Sequence, residues 1–228
     1  DSNVILENTI FLSKEAALYI DNSYDNFFLH NNFIKNRIEV ILEQQGCPNF
    51  WDNGFEGNFW DNYCGKDFDT DGIGDESYFI NSENIDGKPL MGAFNSFMVL
   101  NNLYIDIISN FTLERFVFFE LNGTFRFVVQ GEGEFGFCRV TVPLTLVNSG
   151  NLSILIDDGK APVFFFNEVY RNSTHLSIYF LFESGIHKIE VLDEHLITYT
   201  FLLFPAFSTI IYKLRKRYKK IKKEDMKT

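Results

Sequence analysis

Apolar and polar residues alternate in short bursts at the start of the chain, and the bursts recur. Asn3, Val4, Leu6, Asn8, Ile10 and Phe11 return as Asn26, Phe27, Leu29, Asn31, Phe33 and Ile34 at a constant offset of 23 residues. Runs of three to four residues cannot bury a helix face, but they suit one side of a solenoid coil. The period predicts a parallel β-helix, with apolar residues filling the interior and asparagines at the corners forming side-chain ladders. Two coils cannot bury a solenoid core unaided, so more coils are expected upstream of Asp1.

Further along, the texture changes to longer apolar runs separated by turn signals. Strands are expected near 103–109, 113–120, 124–130, 135–141, 152–157, 162–166, 175–182 and 187–192. The breaks between them carry Asn122-Gly123, Gly131-Glu132-Gly133, Asn148-Ser149-Gly150, Asp158-Gly159 and Ser184-Gly185. Strands at this spacing predict an antiparallel β-sandwich over 103–192. The chain is therefore read as all-β, apart from one segment near its end.

That segment, Leu196 to Tyr212, has no charged residue and is followed at once by a basic run from Lys213. As a helix it would rise about 26 Å at ~1.5 Å per residue, slightly short of a ~30 Å hydrocarbon core, and Leu214 with a snorkelling Lys213 or Arg215 would extend it. A transmembrane helix over 196–214 with a basic cytoplasmic tail at 215–228 follows from the positive-inside rule, and it places the β domains outside the cell. Pro205 would kink the helix. The alternative is a last sandwich strand over 196–204 followed by a solvated tail.

Between the repeat and the sandwich lies the densest chemistry. An aromatic and asparagine block (Phe50, Trp51, Asp52, Asn53, Gly54, then Gly57, Asn58, Phe59, Trp60, Asp61, Asn62, Tyr63) runs into Asp67, Asp69, Asp71, Gly72, Gly74 and Asp75. Carboxylates at alternate positions, with a glycine after the third, turn their oxygens toward one point and suit a hard cation. The candidate ligands for Ca2+ are Asp67, Asp69, Asp71, Ile73 and Asp75, with Ile73 at the position that offers a backbone carbonyl. Position twelve is Tyr78, so the loop is the short DxDxDG type and lacks the bidentate Glu of an EF-hand. The competing reading is an acidic surface turn, which Asp and Gly also favour. Trp51, Phe59, Trp60 and Tyr63 read as a lid over the open end of the last coil, or else as a platform on which sugars stack.

Composition sharpens these readings. The chain has 228 residues, 46% hydrophobic and 22% charged, with 27 Phe and 10 Tyr, and bulky rings favour a pleated surface. Of 20 basic residues, nine lie in the last sixteen positions, against two of the 31 acidic ones. Residues 1–212 thus hold 11 basic and 29 acidic groups, a net of −18, which excludes nucleic acid as a partner held by charge. Cys47 and Cys64 flank the aromatic block and would pair in an oxidising compartment, whereas Cys138 reads as a small core residue. His30, His175, His187 and His195 are scattered and do not suggest a zinc or copper cluster. Asn110, Asn122, Asn151 and Asn172 head N-x-S/T sequons in or beside expected turns.

Residues 1–92 resemble the terminal coils of archaeal and bacterial right-handed parallel β-helix surface proteins related to the NosD copper-maturation family and to carbohydrate-binding or sugar-hydrolase β-helices. The resemblance rests on Phe50-Trp51-Asp52-Asn53-Gly54, Gly57 through Tyr63, Asp67 through Asp75, Ser77 through Ile80, and Asp86 through Met91. Gly136 through Pro143, Ile154 through Gly159, His175 through Phe180 and His187 through Val191 resemble an immunoglobulin-like C-terminal module of archaeal surface proteins. Together these imply terminal coils (1–48), an aromatic cap with a calcium loop (49–92), a sandwich and an anchor. The implied function is a non-enzymatic cell-surface protein for display, adhesion or envelope architecture, with surface polysaccharide or envelope proteins as partners. The alternative is the anchor end of a polysaccharide-binding or polysaccharide-degrading enzyme whose active site lies upstream. Copper delivery is suggested by the family name alone and ranks last.

Overall fold

A computed structural model of the chain describes residues 2–43, 48–147 and 150–193. Every regular element in them is a strand, apart from two single 3-10 turns. The first coil holds β1 (Val4–Leu6), β2 (Thr9–Phe11) and β3 (Leu18–Ile20), and the second holds β4 (Phe27–Leu29), β5 (Asn32–Ile34) and β6 (Val40–Leu42). β1 pairs β4, β2 pairs β5 and β3 pairs β6, all parallel. Val4 faces Phe27 and Thr9 faces Asn32, which is the 23-residue period of the sequence realised as stacking. The stack continues into the aromatic block, where Phe50 bridges Phe27 and β7 (Phe59–Trp60) pairs β5.

Two asparagine ladders run through these coils. Asn3 N donates to Asn26 Oδ1 (3.1 Å), Asn26 N to Asn49 Oδ1 (3.0 Å) and Asn49 N to Asn84 Oδ1 (2.9 Å). In the second, Asn8 N donates to Asn31 Oδ1 (3.1 Å), Asn31 N to Asn58 Oδ1 (3.0 Å) and Asn58 N to Asp86 Oδ2 (2.8 Å). Corner amides would otherwise be buried and unpaired, so each rung supplies the acceptor for the rung before it. The corners also repeat a strained backbone. Glu7 and His30, and likewise Leu12 and Lys35, sit 23 residues apart at positive φ (56°, 56°, 56° and 52°).

Beyond the stack lies one seven-stranded antiparallel sheet of β10 (Ala93–Leu100), β11 (Leu103–Ser109), β12 (Thr112–Phe119), β13 (Thr124–Pro143), β14 (Leu152–Ile156), β15 (Phe165–Arg171) and β16 (His175–Asp193). The sheet doubles over itself. The first half of β13 lies between β12 and the end of β16, and its second half lies between β11 and the start of β16. Alternate residues of both halves meet in one core, including Ile105, Ile107, Phe125, Phe127, Val140, Ile178, Phe180 and Val191. Cys138 belongs to this core, and its burial pushes the thiol up to about 12.

Several strand expectations are corrected. The pairs 124–130 with 135–141, and 175–182 with 187–192, are each a single long strand, because the glycine-bearing breaks are bulges and not reversals. Gly131 lies opposite Gly185, and the register slips between Gly131 and Phe135. Gly133 and Gly185 take φ of 137° and 133°, which bends both strands together. The strand placed at 162–166 begins at Phe165, since the preceding chain turns back through an Ile156–Ala161 bridge and Pro162 has no N–H to give a ladder. The sheet also starts earlier than expected, at β10.

The segments 196–214 and 215–228 lie outside the described residues, as does Cys47, the expected partner of exposed Cys64. Among the described residues no helix is long and apolar enough to cross a membrane.

Candidate metal loop and the junction it straps

The aromatic block is the third rung of the stack. Trp51 stacks on Phe28 with centroids 4.2 Å apart, and Trp60 stacks on Phe33 at the same distance. Both indoles are 1% exposed. A sugar platform needs an open ring face, so the platform reading is set aside for these two tryptophans. Their N–H groups end the two ladders: Trp51 Nε1 donates to Asn84 Oδ1 (3.0 Å) and Trp60 Nε1 to Asp86 Oδ2 (2.9 Å). Asp86 is fully buried, and its burial, only partly offset by donors from Trp60, Asn58 and Lys88, pushes the carboxyl up to about 6.

The acidic loop follows. Asp67, Asp69 and Asp71 bring carboxylate oxygens within 4.8 Å of one another. Asp67 accepts from Asp71 N (3.1 Å) and Gly72 N (2.8 Å), and Asp71 accepts from Ile73 N (2.7 Å). Gly72 takes φ of 85°, which the reversal requires. Burial raises the carboxyls of Asp67 and Asp71, and neighbouring acids raise them further. Such a cluster resists full ionisation unless a cation joins it. Of the other two expected ligands, Asp75 turns its Oδ2 back onto Phe68 N (2.7 Å), and Ile73 sends its side chain into a core.

That core is a junction. Ile73 and Leu90 pack with Phe94, Ile108, Phe137 and Tyr179 of the sheet. Gly74 N donates to Pro89 O (2.7 Å) and Met91 N to Gly72 O (3.0 Å), which ties the acidic loop to the chain entering β10. The loop therefore lies at the seam between stack and sandwich, and not over the end of the stack alone.

An ionic cluster that no motif announces crosses the same seam. Glu56 accepts from Arg139 Nη2 (2.6 Å) and is bonded to His30 Nε2 (2.8 Å). Burial raises the Glu56 carboxyl, but the His30 bond and the Arg139 and His30 charges outweigh it and hold the group below the usual range. Arg139 is 4% exposed; its Nε donates to Ser177 Oγ, and its guanidinium lies 5.7 Å from the Tyr170 ring. Asn32 adds two bonds to the backbone of Phe94, and the His30 ring stacks on Phe94 at 3.9 Å. Only folding brings residue 56 to residue 139, so no local signal marks the pair.

Among the described residues the donors do not fit a copper site. His30 and His187 are each engaged with a carboxylate, and His175 Nδ1 lies beside Thr174 Oγ1. The one metal-competent group among the described residues is all oxygen, the preference of Ca2+ or Mg2+ and not of copper. Residues 1–65 match the model of a family described as periplasmic copper-binding protein (NosD). The stacked coils are thus similar to that family over just under a third of the chain. No curated protein and no solved structure matches the chain.

Proposed function

We propose that this chain is a non-enzymatic, extracellular module of a cell-surface protein, in which Ca2+ fastens a β-solenoid to a sandwich. Its work is display, adhesion or envelope architecture. The observation that carries this reading is the placement of Asp67, Asp69 and Asp71 on the strap between the two cores, where an oxygen-bound cation gains its affinity by fixing the seam. The similarity of residues 1–65 to a periplasmic family supports a location outside the cytoplasm. Residues 196–214 serve as the membrane anchor and 215–228 as its cytoplasmic tail, and the sandwich is an immunoglobulin-like spacer. The sequon residues Asn110, Asn122, Asn151 and Asn172 are all exposed and stand as glycosylation sites.

Melting in the presence of Ca2+ and then EGTA tests the metal. Ligand at about 100 times Kd adds about 2.7 kcal/mol, which at about 2–4 °C per kcal/mol for a chain this size is a shift of about 5–10 °C. The double substitution Asp69→Ala, Asp71→Ala should abolish that shift. Equal melting temperatures with Ca2+ and with EGTA would remove the calcium claim. Protease treatment of intact cells tests the anchor, and cleavage of the basic tail from outside counts against it.

A further inference from the structure

The acidic loop leaves β7 and returns through the short hairpin of β8 (Tyr78–Phe79) and β9 (Ile85–Asp86) to the strap that enters β10. On the way it lies on the sheet. Arg139 and Tyr179 are cross-strand partners there, and Phe137 stands two residues before Arg139 on the same side of β13. A Cβ placed on Gly72, the residue after Asp71, would stand 3.3 Å from Arg139 Cβ and 3.5 Å from the Phe137 ring. The loop backbone thus rests on the stem of a buried arginine.

We propose that Arg139 is an internal counter-charge shared between Glu56 and Asp71, and that the Glu56–Arg139 pair thereby sets the affinity of the acidic loop for Ca2+. The proposal rests on the calcium reading of Asp67, Asp69 and Asp71, and adds what tunes that site.

The donors of Arg139 carry the argument. Nη2 lies 2.6 Å from Glu56 Oε1 and Nε donates to Ser177 Oγ (3.2 Å), but Nη1 is buried without a hydrogen-bond partner among the described residues. Glu56 therefore engages only part of a cation whose charge is spread over the whole guanidinium. Asp71 feels that charge. Burial raises the Asp71 carboxyl, and the Ile73 N–H and the Arg139 guanidinium work against the rise. Tyr179 reports the same closeness from the neighbouring strand, since burial pushes its hydroxyl up and Asp67, Cys138 and Asp71 add to the push. Phe137, Arg139 and Tyr179 are all buried, so the floor under the loop is poor in water. Charges facing one another across such a floor are screened far less than exposed ones.

Two opposite signs follow from this sharing. Neutralising Glu56 leaves an uncompensated cation beneath the loop, which competes with Ca2+ for Asp71. Removing Arg139 leaves the Glu56 charge to add to the pull on the metal. A pair that served only to hold the seam together would behave otherwise, because losing either partner would loosen the loop and weaken binding.

Titration calorimetry of the full chain with CaCl2 tests the proposal on the parent, Glu56→Gln, Arg139→Met and the double variant. Glu56→Gln should weaken Ca2+ binding by about tenfold, and Arg139→Met should tighten it by a similar factor. The double variant leaves neither charge of the pair unmatched in the seam, and it guards against misfolding of the single arginine variant. It should bind at least as tightly as the parent, so that adding Arg139→Met reverses the loss caused by Glu56→Gln. Parent-like affinity in Glu56→Gln, or a double variant no tighter than Glu56→Gln, would overturn the proposal and leave the calcium reading standing. A parent chain that binds no Ca2+ would refute the calcium reading itself, and the proposal with it.

Discussion

Trp60→Phe and Trp51→Phe form a matched pair of perturbations, because the two indoles do the same work for different acceptors. Each ring stacks at 4.2 Å on a phenylalanine of the coil before it, and each donates its N–H to the last rung of a ladder. The acceptor is the amide of Asn84 for Trp51 and the carboxyl of Asp86 for Trp60. Asp86 is pushed from 3.8 to about 6, so its acid form is favoured by folding. The stability this contributes is present in full below pH about 3.8 and is lost as pH rises through about 6, a difference of about 3 kcal/mol at ~1.36 kcal/mol per unit. Removing the indole N–H takes away a bond that favours the ionised form. Trp60→Phe should therefore cost about 0.5–1.5 kcal/mol at about pH 5, where the acceptor is mostly neutral, and about 1.5–3 kcal/mol at about pH 8, where it is charged, in addition to a packing loss common to both pH values. Trp51→Phe loses a bond to an amide, and its cost should be the same at both. Calorimetric melts of the parent and both variants would resolve the extra 1–2 kcal/mol as about 2–8 °C. If the two variants shift with pH in parallel, the assignment of Asp86 as a buried, titrating ladder terminus is wrong.

Other substitutions probe the remaining contacts. Glu56→Ala should cost about 3–5 kcal/mol in a denaturant melt by leaving Arg139 buried without its carboxylate. Because the Glu56 carboxyl is held below its usual range, its contribution is present above the ordinary carboxylate value and lost as pH falls through the depressed one. Glu56→Ala should therefore flatten the acid limb of the stability profile. Gly57→Ala should destabilise by several kcal/mol, since a Cβ there would lie 2.0 Å from Asp86 Oδ1; a melting temperature within about 1 °C of the parent would refute that packing. Leu12→Gly should raise stability by about 1 kcal/mol by relieving a positive φ at an exposed corner, measured as an upward shift in the denaturation midpoint.

Much of the stack was legible in the chain because it is built from local, repeated instructions. The 23-residue offset fixes which strands pair, and Asn3, Asn8, Asn26 and Asn31 mark corners whose amides need acceptors. The acidic loop was legible for a similar reason, since alternate carboxylates around a glycine define their own geometry within nine residues. The continuation of the ladders was harder to see. In the first ladder the spacing opens from 23 residues to 35 between Asn49 and Asn84, and in the second it opens to 27 between Asn31 and Asn58 and is 28 between Asn58 and Asp86.

What the sequence determined by itself was the all-β character, the coil period and the oxygen-rich loop, since each depends on residues close together in the chain. Tertiary structure alone decided the rest. Whether Gly131-Glu132-Gly133 reverses the chain or bends it depends on Gly185, which folding places opposite. Whether Trp51 and Trp60 lie open or buried depends on Phe28 and Phe33 beneath them and on Tyr78 against Trp60. The seam itself joins Glu56 to Arg139 and Asn32 to Phe94, partners 83 and 62 residues apart. Burial and ionic pairing at such distances are set by which surfaces meet, and that is a property of packed layers and not of any short stretch of chain.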